Sequence, residues 1–289
     1  MLPSRFEYHR AGTLDEALSL LGTYGDEAKV LAGGQSLIPM MKLRFAYPEH
    51  LVDVNRVPGL DGLEERDGML RIGALVRHAT LASSELIRSR YPTIAAAAPQ
   101  IADPLVRNMG TIGGSIAHAD PAGDLASVML SLGASVVLHS ASGSRQLPIG
   151  EFLVDTFTTA CRPDEMLTEI VVPGAEPRSG GTYLKLERKV GDWATVGVAV
   201  SLTLRNGSIG RAGIALTGVD LTNVQATEAE SALAGAEPTD EAFADAGRLA
   251  AAAAHPVSDV RGSAEYKRNV IEVYVRRGLA HARDTASAA

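Results

Sequence analysis

The 289-residue chain contains one cysteine, Cys161. A single thiol allows no intrachain disulfide and no cysteine-ligated metal cluster, so any iron–sulfur chemistry linked to this protein must sit on another chain. No histidine or lysine adjoins Cys161 in sequence, and it reads as a small residue in or beside an apolar strand rather than a reactive thiol. Runs of lysine and arginine are also missing, and the formal net charge is −7, which argues against a nucleic-acid partner. No apolar stretch approaches the roughly 20 residues of a membrane span. The first residues lack the apolar core of a signal peptide, so a cytoplasmic protein is expected. What is present is ordinary for a folded soluble chain, with 46% hydrophobic and 21% charged residues and enough length for two domains.

The first fifty or so residues read as a small α/β unit. Thr13 and Glu16 have the spacing of a capping box, and Leu14, Ala17, Leu18 and Leu21 form the apolar face of the helix that follows. Ala28–Ala32 is a short buried strand running into Gly33-Gly34, and Leu51–Val54 is another. Further on, strands are expected at Met69–Ile72 and Gly73–Val76, helices from about Thr80 and over Thr93–Ile101, and a break at Asp103-Pro104. A helix over Ala122–Leu132 and strands near Ser135–Leu138 and Met166–Val172 follow. Prolines and glycines between Val172 and Gly181 make the best linker in the sequence, which divides the chain into domains of 1–175 (subdomains about 1–56 and 57–175) and 180–285. The second domain reads as strands at Thr182–Leu186, Val196–Leu204 and Ser208–Leu216, with Arg205-Asn206-Gly207 as a hairpin turn. Three helices complete it, from Thr227, from Asp240 and over Ser263–Ala282, with a frayed tail beyond Arg283.

Two glycine-rich segments carry the chemistry. A loop that holds a pyrophosphate needs inward-pointing backbone N–H groups and no obstructing side chains. Gly33-Gly34-Gln35-Ser36 and Gly110-Thr111-Ile112-Gly113-Gly114-Ser115 both offer this. A glycine pair after a strand is also simply a turn, and neither segment has the spacing of the Rossmann fingerprint or of a P-loop. Two such segments in one domain suit a dinucleotide gripped from opposite sides.

Val30–Pro39 and Asn108–Ser115, with Asp120-Pro121 and Asp124 after them, resemble the flavin-binding subunits of the xanthine dehydrogenase and carbon monoxide dehydrogenase family, and the similarity runs through Arg261–Tyr266. The resemblance implies an α+β chain: an FAD-binding fold of the vanillyl-alcohol oxidase type in two α/β subdomains, then a small antiparallel sheet with helices. It implies that Ala32, Gly33, Gly34, Gln35 and Ser36 hold the pyrophosphate and flavin edge together with Thr111, Ile112, Gly113, Gly114 and Ser115, with Gly110 and Leu37 flanking them. Ile101 and Leu167 would lie near the adenine, Asp124 on the ribose or adenosine, and Lys185 near the flavin. Trp193, the only tryptophan, stands where relatives place an aromatic residue over the isoalloxazine ring.

Each of these residues also has a plain reading: Asp124 as a helix cap, Lys185 as a solvated strand lysine, Trp193 as core packing. His118, between the second segment and Asp120, reads either as a neighbour of the cofactor or as a structural donor. The resemblance further implies FAD as the cofactor, with molybdenum cofactor and iron–sulfur clusters on a large and a small partner subunit, as a dimer of heterotrimers. No catalytic residue and no metal ligand is assigned to this chain. Ile101–Pro104, Arg188–Asp192, Ala215–Val219 and Ser258–Gly262 look most like medium subunits that serve aerobic carbon monoxide oxidation. Sister enzymes acting on nicotine, other N-heterocycles, xanthine or aldehydes carry similar flavin chains. A stand-alone flavin oxidase and a non-redox nucleotide-binding module are the readings from other classes. Docking at the inner face of the membrane would run through the complex rather than through insertion of this chain.

Overall fold

The computed structural model describes residues 2–288. The chain opens with β1 (Glu7–Arg10), α1 (Leu14–Tyr24), β2 (Ala28–Leu31), α2 (Leu37–Leu43) and β3 (His50–Asp53). The strands form a parallel sheet of order β1-β3-β2. The capping box forms, with the Thr13 hydroxyl accepting from the Glu16 N–H and the Glu16 carboxylate accepting from the Gly12 N–H. Gly25, at φ 51°, ends α1. Ala17, Leu18 and Leu21 pack with Val52, Val54 and Leu75 into a small core.

The second subdomain comprises β4 (Leu63–Arg66), β5 (Met69–Gly73), α3 (His78–Ser83), α4 (Glu85–Arg90), α5 (Pro92–Ala97), α6 (Pro104–Met109), α7 (Ile112–His118), α8 (Asp124–Leu132), β6 (Ser135–Ser140), β7 (Gly143–Pro148), α9 (Ile149–Phe152), β8 (Leu153–Asp155), β9 (Thr158–Thr159) and β10 (Met166–Pro173). Its main sheet is antiparallel, in the order β4-β5-β10-β6-β7, and β8 pairs with β9. Residues 74–76 are not a strand, because the Ala74 and Leu75 N–H groups turn away to the carbonyls of Thr168 and Leu60. The single helix expected over Thr93–Ile101 is α5 followed by one tight turn at Ala98–Gln100, around Pro99. Asp103 does not merely break a helix. Its carboxylate caps α6, with Pro104 at the first helical position.

The remaining elements are β11 (Ser179–Leu186), β12 (Val196–Arg205), β13 (Ser208–Thr217), β14 (Val224–Gln225), α10 (Thr227–Leu233), α11 (Asp240–Ala252) and α12 (Ala264–Ala288). The sheet runs β11-β12-β13-β14, all antiparallel. Asn206 and Gly207 both have positive φ, as a two-residue hairpin turn requires. Regular structure runs further into the supposed linker than expected, since β10 ends at Pro173 and β11 begins at Ser179. The tail is not frayed: α12 continues through Ala288, and Ala282 and Ala286 are fully buried.

The period-2 rule explains how this sheet is covered on both faces. Val196, Val198, Val200 and Leu202 alternate onto the face that joins Ile214 and Leu216 against Ile271, Val275 and Leu279. The opposite face carries Gly197, Ala199 and Ser201 with Gly213 and Ala215, and these small residues let α5 and α8 approach closely. A Cβ at Gly213 would overlap the Ser131 carbonyl, and the Ser201 hydroxyl donates to that same oxygen at 2.7 Å. Among the described residues no helix is long and apolar enough to cross a membrane.

Candidate cofactor-binding site

The two glycine segments meet in space. A Cβ on Gly33 would overlap the Met109 carbonyl oxygen and lie 2.8 Å from the Gly110 Cα. One on Gly114 would lie 2.8 Å from the Thr111 hydroxyl and 4.0 Å from the Ala32 Cβ. Ala32–Ser36 and Gly110–Ser115 are therefore opposed walls of one cradle.

The walls do different work. The chain leaves β2, turns at Gly34 (φ 71°) and enters α2 through Ser36 and Leu37. The Gln35 amide folds back onto the Gly33 carbonyl at 3.0 Å. The backbone N–H groups of Gly33, Gly34, Gln35 and Ser36 have no acceptor among the described residues. That is the donor array an anionic phosphate requires.

The second segment is not the open loop expected from sequence but the start of α7. The N–H groups of Ile112 and Gly113 bond the carbonyls of Val76 and Ala74, each at 3.0 Å. The Gly114 N–H bonds the Thr111 hydroxyl at 3.2 Å and the Ser115 N–H bonds the Thr111 carbonyl at 3.0 Å. Its glycines serve close packing instead. Gly110 lies against the His78 ring and Gly113 against Ala74, where a Cβ would come within 2.8 and 2.5 Å of its neighbour.

A polar link that sequence reasoning missed ties the walls together. The Asn55 amide donates to the Ala32 carbonyl at 2.8 Å, and the Asn55 carbonyl oxygen accepts from Arg77 at 2.7 Å. Arg77 also donates to the Met109 carbonyl. No motif marks Asn55 or Arg77. The only available signal was position: one follows the strand beside the first turn, and the other precedes a helix beside the second. His78, buried beneath Gly110, has its pKa pushed down to about 4 by burial, aided by the charges of Arg107 and Arg77.

A second group of expected residues gathers around α8. Asp124 is the first residue of that helix but does not cap it. Its carboxylate accepts from the Tyr183 hydroxyl at 2.6 Å and from the Lys185 ammonium at 2.9 Å, and Lys185 also donates to the Gln100 carbonyl at 3.2 Å. The side chains of Lys185 and Asp124 are 1% and 8% exposed, so Lys185 is not a solvated strand lysine. Burial pushes the Asp124 carboxyl up against the pull of Lys185, and drives the Tyr183 phenol well above its usual range. Ile101 follows Gln100 directly, half-buried, so Ile101, Asp124 and Lys185 form one neighbourhood. Leu167 is buried in β10 opposite Leu138, in the hydrophobic core that also holds Ile112 and against which Ile101 packs.

Trp193 is 50% exposed and is not a core residue. It sits on the turn between β11 and β12, held by Arg261, which donates to the Trp193 carbonyl at 2.7 Å and to Asp192 at 3.3 Å. That turn rests on the Ile101 neighbourhood, since a Cβ at Gly191 would lie 2.7 Å from the Ala102 carbonyl. His118 packs against Phe157, with ring centroids 5.0 Å apart. The Cys161 thiol donates to the Glu165 carbonyl and its pKa is raised by burial to about 11, which fits the inert reading.

Residues 4–175 match the family described as the FAD binding domain in molybdopterin dehydrogenase, and residues 181–282 match the CO dehydrogenase flavoprotein C-terminal domain. The chain belongs to this flavoprotein family. It is 43% identical to the carbon monoxide dehydrogenase medium chain of Hydrogenophaga pseudoflava, over 96% of this chain and 97% of that one. It is 41% identical to the 6-hydroxypseudooxynicotine dehydrogenase complex subunit alpha of Paenarthrobacter nicotinovorans, over 98% and 96%. Among solved structures it superimposes on carbon monoxide dehydrogenase from Hydrogenophaga pseudoflava with a TM-score of 0.95 at 44% identity, covering 99% of both chains. For a chain of this family, the donor array at Gly33–Ser36 and the glycine-lined wall facing it fit the pyrophosphate of FAD.

Proposed function

We propose that this chain is the flavin subunit of a molybdenum hydroxylase, carrying electrons from a partner's iron–sulfur clusters to an external acceptor. The observation that carries the reading is the cradle: four unpartnered N–H groups of Gly33–Ser36 facing a glycine-lined helix start, in a chain that matches flavin subunits along almost its whole length. When bound, FAD would supply a carrier that takes electrons singly and can release two. The protein's part is to hold and orient it. Gly33, Gly34, Gln35 and Ser36 bind the pyrophosphate, with Ala32 and Leu37 beside them. Gly110, Thr111, Ile112, Gly113, Gly114 and Ser115 form the opposing wall. Ile101 and Leu167 serve the adenine side, Asp124 and Lys185 fix the floor, and Trp193 covers the flavin ring. The exposed face of Trp193 supports that last role. No side chain here need act as a general acid or base.

The partners in this reading are a small iron–sulfur subunit and a large molybdenum subunit, assembled as a dimer of heterotrimers in the cytoplasm. Carbon monoxide is the proposed substrate of the assembled enzyme, supported by the 43% identity to a carbon monoxide dehydrogenase chain. The 41% identity to a pseudooxynicotine dehydrogenase subunit favours an N-heterocycle as the second reading. The test is to purify the chain with its natural partners under anaerobic conditions and add carbon monoxide or a hydroxylated pyridine while following flavin absorbance. Bleaching by carbon monoxide alone is expected, and bleaching only by the pyridine selects the second reading. A protein isolated without partners that turns over a small substrate by itself, or one that takes up no flavin, refutes the subunit assignment.

A further inference from the structure

The parallel sheet has a second polar cluster at the end opposite the Gly33-Gly34 turn. In its register Glu7 and Ala28 lie beside His50, at the entry of the strands, whereas the glycine turn follows Leu31 at their exit. Glu7 and His9, two residues apart on β1, project to the same face as His50. There His9 Nε2 and His50 Nδ1 are 3.0 Å apart, and the Glu7 carboxylate is 3.8 Å from His50 Nδ1. One ligand atom from each of the three residues lies within 4.8 Å of the others.

The imidazoles are held in place. Tyr24 stacks on His50 with centroids 3.7 Å apart and on His9 at 5.1 Å. The His50 side chain is only 13% exposed, while that of Glu7 is 67% exposed, so the cluster opens to solvent on one side. Glu27 and Glu49 stand next to it, and the backbone joins them through Glu49 N–H to the Glu27 carbonyl at 3.0 Å. Among the described residues no lysine or arginine forms an ion pair with Glu7, Glu27 or Glu49.

We propose that Glu7, His9 and His50 form a surface site for one divalent transition-metal ion of the zinc type. Two neutral imidazoles and one carboxylate are a donor set that zinc takes in proteins, with a fourth position left to water. Tetrahedral bonds of about 2.0–2.1 Å to two nitrogens put those nitrogens about 3.3 Å apart. The observed 3.0 Å separation reaches that value with a few tenths of an ångström of side-chain rotation. Nitrogen donors favour zinc, copper or nickel over magnesium or calcium. The three carboxylates supply the negative charge a dication needs. No local motif marks this site, because His50 lies 41 residues beyond His9 and joins Glu7 and His9 only through strand pairing.

The probe is zinc chloride alone, titrated into chelator-stripped full-length protein against a chromophoric competitor, with excess magnesium present. One zinc ion per chain is expected. His9→Ala and His50→Asn should each weaken binding at least 100-fold and Glu7→Gln about 10-fold, with far-ultraviolet circular dichroism and flavin content unchanged. Absence of stoichiometric binding by the wild type overturns the proposal, as does unaltered binding by both histidine variants. Loss in Glu27→Gln, Glu49→Gln and His50→Asn with His9→Ala unaffected overturns it too, since it would place the ion on Glu27, Glu49 and His50. Flavin content is read from the opposite end of the sheet, so failure here leaves the cofactor assignment separately testable.

Discussion

Replacing Gly33 with alanine tests the cradle directly. The added Cβ would overlap the Met109 carbonyl oxygen and lie 2.8 Å from the Gly110 Cα and 2.9 Å from the Met109 carbonyl carbon. All three are backbone atoms, so no flexible side-chain end can swing aside. Carbon atoms normally approach to about 3.5–4.0 Å, so the two walls must part by about 1 Å. Overpacking of this kind costs about 1–3 kcal/mol. If the displacement falls on the spacing that grips the pyrophosphate, FAD affinity drops roughly 5- to 150-fold, at 1.4 kcal/mol per factor of ten. Quenching of flavin fluorescence on titration into apoprotein measures this. Gly22→Ala in α1 is the matched control: nothing lies within 4 Å of its Cβ, so affinity should hold while stability rises slightly. A folded Gly33→Ala protein that binds FAD as tightly as the wild type would refute the cradle.

Three further outcomes follow from the site's surroundings. His78 titrates at 6.5 in the unfolded chain and near 4 when folded, so between these values the unfolded state binds the extra proton and stability falls as pH falls, by about 3 kcal/mol at most. Urea midpoints from pH 7 to 4 should therefore decline, and His78→Phe should flatten the decline; an equal slope in both proteins rejects the assignment. Lys185→Met strands the buried Asp124 carboxylate and should cost about 3–5 kcal/mol by urea unfolding. Adding Asp124→Asn should restore more than half of that loss, and a double variant no better than the single would show that the pair is not coupled. Trp193→Ala removes a half-exposed ring and should change unfolding by less than about 1 kcal/mol, yet raise iodide quenching of bound flavin. Unchanged quenching would remove Trp193 from the flavin face.

Much of the fold was legible because local rules governed it. The capping box at Thr13, the Asn206-Gly207 turn and the alternating strands beyond Gly181 are each set by residues close in sequence. The errors came where tertiary contacts decide. Residues 74–76 have a strand's composition but bond to a loop and to Thr168. The last turns of α12 look frayed until Ala282 and Ala286 are seen buried against the sheet. In the site, the glycines were legible but their division of labour was not, since a donor array and a close-packed helix start can share one sequence pattern. Asn55, Arg77 and the histidine cluster carry no local signature at all.

The Asp124 contacts join the second domain to the first. Asp124 begins α8 in the first domain, while Tyr183 and Lys185 project from β11 in the second, and the Lys185 ammonium returns to the Gln100 carbonyl in the first. Tyr183 and Lys185 are two residues apart on a strand, so both share the small-residue face that lies on α5 and α8. Gly181 on that face brings β11 close enough for the Thr93 hydroxyl to donate to the Val200 carbonyl at 3.0 Å. A larger residue there would lift the strand and draw Lys185 away from Asp124. The same strand continues into the turn that carries Trp193, which rests on Ala102 and is held by Arg261. The small residues of the sheet thus set the depth at which Lys185 reaches Asp124 and Gln100 and at which the Trp193 turn meets Ala102.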